Sequence, residues 1–287
     1  MNNLTIIFIG GLSNGKIVLE YLQSNKYVNL PLIITHPKNH PVPRYVDLST
    51  IFMGDNVKNE LDANIFTTLI GDYKPDFIFV AGWSGMLSEE LISIPRLGTI
   101  GFHPSKLPKD RGRSVLAWQI EAGYNETALS MFYYNELPDC GDIIAQEEIK
   151  IEQNDYIKNV LNKIDDATYN LMIAYFPLLR KGNAPRKPQS INDGNFRRLR
   201  TDSDSIIDWD NNANVIFNKI RAISKPYPGS IGKIDKNRYR IWKAVPWDIT
   251  DGMEKENIGK HIIEKESGMP IVKCRDKCIK ILDYEKI

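Results

Sequence analysis

The sequence predicts a doubly wound α/β domain, with a mostly parallel sheet and helices on both faces, followed by a small β-rich module. Three observations carry this reading. Short, continuous apolar runs alternate with helical stretches. One long segment repeats its apolar residues at spacings of three and four. Beyond residue 226, short strands follow one another closely between Gly, Asp and Asn turns. A length of 287 residues suits one large or two modest domains.

The elements follow in order. Residues 4–9 are a run of apolar side chains ending at Gly10-Gly11, the pattern of a parallel strand buried on both faces. Ser13 is placed to cap a helix carrying Ile17, Leu19, Tyr21 and Leu22. Residues 31–35, 77–81 and 99–103 read as further strands, and 116–122 as a helix before Gly123. Residues 129–134 and 143–151 read as strands around a turn at 137–141. Ile157, Leu161, Ile164, Thr168, Leu171, Tyr175 and Leu178 form one helical stripe, capped by Asn154 or Asp155, ended by Gly182 and kinked by Pro177. Two prolines and no periodicity mark an exposed crossing. The expected division is a first domain over 1–185, a linker over 186–204 and a C-terminal module over 205–287. In that module a helix near 211–223 precedes strands at 230–234, 238–243, 261–264, 271–274 and 278–284.

Composition narrows the function. Lys and Arg total 37 against 36 Asp and Glu, a net charge of +1, which argues against a protein built to wrap nucleic acid. Cys140, Cys274 and Cys278 are an odd number, and no further His/Cys pair completes a zinc set, so neither a disulfide framework nor a metal site is expected. No run reaches the roughly 18 apolar residues of a membrane helix, and the N-terminus lacks the features of a signal peptide. A reducing cytoplasm is the expected compartment. The stretch from Gly10 to Ile17 nearly matches a phosphate-binding loop, but Ile17 has no hydroxyl for magnesium. The alternative is a Gly-rich turn that lets the backbone at Gly10 and Ser13 approach a ligand or the next helix.

The informative segment is 98–113. A strand delivers His103 to its carboxyl end, where open α/β sheets bind ligands. A loop bracketed by Pro104 and Pro108 follows, with Lys106, Lys109, Arg111 and Arg113 in eight positions. Asp139 lies on a later turn, so that a His and an Asp on adjacent turns can form an oriented acid/base pair.

Residues 103–112, His-Pro-Ser-Lys-Leu-Pro-Lys-Asp-Arg-Gly, resemble the His-Pro-Ser-Leu-Leu-Pro-(Lys/Arg)-x-Arg-Gly loop of formyltransferases that use 10-formyltetrahydrofolate. Asp139-Cys140-Gly141-Asp142 resembles that family's Asp-x-Gly-Asp segment. Residues 80–87 lie where its folate-binding loop lies, and 205–209, 220–222, 226–229 and 239–243 are similar to the C-terminal module of its methionyl-tRNA and sugar-nucleotide members. The resemblance implies a Rossmann-like domain followed by an OB-like module. It implies His103 and Asp139 as the proton-handling pair, and Gly82, Trp83, Met86, Leu87 and Asp142 around the folate. Gly10, Ser13, Pro104, Ser105, Lys106, Lys109, Arg111 and Arg113 are implied around the second substrate, the cations meeting carboxylates or phosphate. Lys-x-Arg-Gly-Arg at 109–113 resembles the version in sugar-nucleotide formyltransferases, enzymes of surface-polysaccharide biosynthesis.

The chain departs from the family at Gly101, where Asn is expected. An amide donor near the formyl oxygen is thereby lost, a change that can cost about 10²–10³ in rate. Three readings stay open: a working enzyme using a backbone N–H, a water, Ser84 or Ser105; an inactive engineered variant; or a relative that binds folate and nucleotide without catalysis. The expected acceptor is a nucleotide-linked amino sugar. The 36–44 loop carries only Lys38 and Arg44 as fixed cations, and residues 201–287 hold 16 Lys+Arg against 14 Asp+Glu; neither suits a polyanion as large as tRNA. Oligomeric state stays open, a homodimer being one alternative.

Overall fold

A computed structural model describes residues 3–52, 56–249 and 253–287. The chain divides into two compact units, one of Met1–Gly112, Ala128–Ile149 and Asn162–Phe196, the other of Arg113–Thr127, Lys150–Leu161 and Arg197–Ile287.

The elements in chain order are β1 (Leu4–Gly10), α1 (Ser13–Ser24), β2 (Val28–Thr35), β3 (Val57–Asn59), α2 (Thr67–Asp72), β4 (Phe77–Ala81), α3 (Glu89–Ser93) and β5 (Gly98–His103). There follow β6 (Arg111–Gly112), α4 (Val115–Glu121), β7 (Glu126–Tyr133), β8 (Ile143–Lys150), α5 (Ile157–Arg180) and β9 (Phe196–Arg197). The last are α6 (Ala213–Ala222), β10 (Ser230–Ile234), β11 (Asn237–Trp247), β12 (His261–Ile263), β13 (Pro270–Lys273) and β14 (Cys278–Lys286).

Seven strands form one sheet in the order β3-β2-β1-β4-β5-β7-β8. The pairs from β3 to β5 are parallel, and β7 joins β5 antiparallel with Gly101 opposite Phe132 and His103 opposite Ser130. This is the expected Rossmann-like sheet. Its central strands are closed to water on both faces: Ile6, Ile7, Phe8 and Ile9 of β1 and Ile78 and Phe79 of β4 are fully buried. Phe77 and Phe79 are therefore core rings. Gly10 is required by packing, since a Cβ there would lie 2.1 Å from the Ala81 carbonyl oxygen.

Several local expectations are corrected. The N-cap of α1 is Leu12, with no side-chain cap; Ser13 is the first helical residue, and its hydroxyl donates to Asp165 Oδ1 at 3.1 Å. The buried stripe of α5 follows the expected residues as far as Leu171. It then runs through Met172, Phe176 and Leu179, leaving Tyr175 and Leu178 partly exposed. A helix of 3.6 residues per turn drifts away from a fixed three-four alternation, and here the drift moves the stripe by one position. The edge strand β3 gave no sequence signal, because three residues with a lysine at the centre are too short for a pattern.

The second sheet, order β10-β11-β14-β13-β12, is antiparallel throughout and forms the OB-like module. Ile216, Phe217 and Ile220 of α6 pack with Ile241, Ala244, Ile279 and Ile281 in its core. Cys274 lies there too, its thiol pushed up to about 12 by burial and by Cys278.

Candidate active site

β5 ends at His103, which is 6% exposed. Asp139, in the left-handed region at φ 56°, turns its carboxylate toward the ring: Oδ1 lies 3.4 Å from His103 Nδ1. Gly112 N–H donates to the other oxygen, Oδ2, at 2.8 Å. His103 Nε2 lies 2.8 Å from the Asp110 carbonyl oxygen. A carbonyl only accepts, so Nε2 carries the hydrogen of that contact. The two residues that sequence reasoning paired thus meet in the fold.

Several side chains grip the backbone of the loop after β5, beside backbone bonds such as Arg111 N–H to the Asn195 carbonyl at 2.9 Å. Ser130 Oγ donates to the Ser105 carbonyl at 2.6 Å and accepts from Leu107 N–H, while Gln146 Nε2 donates to the Leu107 carbonyl at 2.9 Å. Ser105 Oγ donates to the Lys109 carbonyl at 2.8 Å, which commits its proton within the loop. Asn195 accepts from Asp110 N–H through Oδ1 and donates to Asp110 Oδ1 through Nδ2.

Arg111 is a correction to the expected row of ligand cations. It is fully buried, and all five of its N–H groups donate within the chain: to Gln189 Oε1 from Nε and Nη2, and to the Ser190, Ile191 and Asp193 carbonyls. No donor remains for an anion. The two bonds to Oε1 fix which way the Gln189 amide faces, so its Nε2 donates to the carbonyls of Asp139 at 3.0 Å and Gly141 at 2.6 Å. The segment 189–195, read as an exposed crossing, therefore braces both neighbours of the imidazole: the Asp139 turn through Gln189 and the Asp110 carbonyl strand through Asn195.

The other expected residues spread more widely. Pro104 is half-buried, Lys109 and Arg113 are exposed, and Lys106 pairs with Glu148. Gly82 ends β4 at φ 64°. Trp83 stacks on His36, ring centroids 4.7 Å apart, and His36 stacks in turn on His40 at 4.9 Å. Met86 is 68% exposed, and Leu87 packs against the core of the first unit. Asp142 lies 3.6 Å from Arg186, whose guanidinium covers the Tyr133 ring. Ser84 is exposed.

Comparison with known proteins identifies the family. The formyl transferase model matches residues 2–176, and the formyl transferase C-terminal domain model matches residues 200–286. The chain belongs to the formyl transferase family. HypX from Aquifex aeolicus, solved with tetrahydrofolic acid, is similar at 17% identity and a TM-score of 0.71 over 99% of this chain. The chain spans 44% of that protein's length. WlaRD, a sugar 3N-formyltransferase solved with dTDP and 5-N-formyl-THF, is similar at 16% identity and TM-score 0.70, covering 100% of this chain and 99% of its own. An N-formyltransferase from Helicobacter canadensis, solved with folinic acid and dTDP-3-aminofucose, gives 17% identity and TM-score 0.70, covering 99% of this chain and 100% of its own.

In this member of the formyl transferase family, the residues that the sequence does not signal are polar groups in unpatterned segments. Asn64 holds the loop after β4 from two sides, donating from Nδ2 to the Met86 carbonyl at 3.0 Å and accepting from Ser88 N–H at 2.8 Å. Gln189, Asn195 and Arg186 fall within or beside the predicted linker. A polar side chain outside any periodic element carries no sign of its partner, so no signal in one sequence finds them. Among the described residues, no helix is long and apolar enough to cross a membrane.

Proposed function

We propose that this protein moves a formyl group from 10-formyltetrahydrofolate to the amine of a nucleotide-linked amino sugar, with His103 and Asp139 as the proton-handling pair. The observation that carries this reading is the buried His103–Asp139 contact, 3.4 Å, at the carboxyl end of β5. The relatives solved with dTDP or a dTDP-amino sugar and with folate compounds support the choice of substrates. So does the near-neutral charge of the chain, which disfavours tRNA as acceptor.

Formyl transfer needs three things from the protein. The amine nitrogen attacks the formyl carbon, and the carbonyl electron pair moves to oxygen. The new N–C bond is kept, the bond to folate nitrogen breaks with its electron pair, and one proton travels from the amine to that leaving nitrogen. An imidazole can take the first proton and return the second. Asp139 holds the ring through Nδ1 and faces its positive charge when the proton is aboard. Nε2 exchanges the Asp110 carbonyl for the substrate when the ring begins to work. The exposed Met86 and the half-buried Leu87 and Trp83 fit the flat face of a pterin ring, and the exposed Lys109 fits folate carboxylates or a diphosphate.

The test is direct. The protein is incubated with 10-formyltetrahydrofolate and a panel of amino-sugar nucleotides, with initiator methionyl-tRNA as a parallel acceptor. A mass gain of one formyl group on a sugar nucleotide is the expected outcome. Formylation of the tRNA alone replaces the acceptor, and no transfer to either overturns the reading.

A further inference from the structure

The oxygen of the formyl group gathers negative charge during transfer and needs a fixed hydrogen-bond donor. Position 101 offers no side chain, and the fold shows why none fits. A Cβ on Gly101 would lie 2.2 Å from Cε2 and 2.9 Å from Cδ2 of Tyr134. The space beside the Gly101 Cα is already filled by the Tyr134 ring.

The register places that ring with respect to the site. β7 runs antiparallel to β5 with Phe132 opposite Gly101, and Tyr134 N–H donates to the Thr99 carbonyl at 2.8 Å. Opposed residues share a face, and residues two apart on a strand share it too. Gly101, His103, Phe132 and Tyr134 therefore belong to one side of the sheet. The Tyr134 ring stacks on Phe132, 5.3 Å between centroids at 16°, and reaches along that side across Gly101. Among the described residues its hydroxyl has no hydrogen-bond partner, although its ring packs against Leu107, Phe132 and Ile143. Burial holds the phenol well above its usual range, and the nearby Asp139 carboxylate adds to this, so the group stays a neutral O–H donor at every working pH.

We propose that the Tyr134 hydroxyl is the catalytic donor to the formyl oxygen, entering from β7 through the space that a side chain at position 101 would otherwise occupy. The glycine and the tyrosine are then one device: the first is small so that the second can reach. The inference rests on the formyl-transfer reading above.

Tyr134→Phe removes the hydroxyl and keeps the ring. Its kcat for formyl transfer should fall by about 10²–10³, with both KM values within about threefold and the melting temperature unchanged, since a ring that only packs has no reason to lower turnover. An exchange sharpens the test. Tyr134→Ala empties the space, and Gly101→Asn added to it should recover at least about tenfold by supplying an amide donor from the other strand. Tyr134→Phe with wild-type kcat, or a double variant no faster than Tyr134→Ala, overturns the proposal. Should the wild-type protein transfer no formyl group, the preceding reading fails by itself. Calorimetry of 10-formyltetrahydrofolate against tetrahydrofolate, without acceptor, then probes the donor alone. A several-fold loss of that affinity ratio in Tyr134→Phe supports the contact, and an unchanged ratio overturns it.

Discussion

The loops after β4 and β5 leave adjacent parallel strands at the same end of the sheet, yet they are held in opposite ways. The loop after β5 is gripped through its backbone by Ser130, Gln146, Asp139 and Asn195, and Arg111 anchors it to the 189–195 segment from inside. Among the described residues, the loop after β4 takes side-chain hydrogen bonds to its backbone from one amide, Asn64, rests on the core through Trp83 and Leu87, and leaves Met86 largely in water. Under the proposed function, the difference separates two demands. A proton-transfer pair works only within a few tenths of an ångström of its productive geometry, so its supports must be many and buried. A cradle for a flat ligand gains from a segment that can adjust, and few buried contacts leave it free to do so.

The largest expected effect tests the rigid side. Asp139→Asn keeps an acceptor for Gly112 N–H but removes the charge that faces His103, and kcat should fall by about 10²–10⁴ with an unchanged melting temperature. Wild-type turnover would reduce Asp139 to a turn residue.

Asn64→Ala tests the adjustable side. With both hydrogen bonds to the 86–88 segment lost, KM for the folate substrate should rise about tenfold while kcat stays within about threefold. If kcat falls and KM holds, the loop after β4 takes part in the chemistry, and the contrast between the two loops disappears.

The smallest effect concerns stability in acid. His36 sits buried between Trp83 and His40, and burial, with His40 adding to it, pushes its imidazole down from 6.5 to about 4. The unfolded chain binds this proton below pH 6.5, whereas the folded chain refuses it until about pH 4. The contribution to stability is therefore whole above pH 6.5 and is lost as pH falls toward 4. His36→Gln should lose less melting temperature between pH 7 and pH 5 than the wild type, by about 3 °C. Parallel losses in the two proteins would show that the ring is not linked to folding.

How much was legible depended on whether a residue signals its own role. The strand at 77–81 and the one beginning at Ser230 carry their bounds in sequence, because a buried strand must be apolar and its ends must turn. His103 and Asp139 were legible as well, since a loop of fixed composition surrounds the first and an Asp-x-Gly-Asp turn carries the second. Arg111 was misread because the sequence shows a cation but not its surroundings. In a Pro-bracketed loop it looks like its exposed neighbours Lys109 and Arg113, and only the fold turns it inward onto four acceptors. Gln189 was passed over for the converse reason, a polar residue after a proline in a segment without period.

By itself, the sequence determined the two sheets and the strand end and turn from which His103 and Asp139 meet. Each of these follows from local rules: apolar periodicity, turn chemistry and the exposure of strand ends. The tertiary structure alone decided what stands beside Gly101, which way Arg111 points and what steadies Asp139. Those outcomes depend on groups brought together across 33 residues for Gly101 and Tyr134, and 50 for Asp139 and Gln189. Contacts at such separations arise only once the chain has packed, because an empty position at a glycine or an unpaired amide in a linker does not specify which distant side chain will fill it.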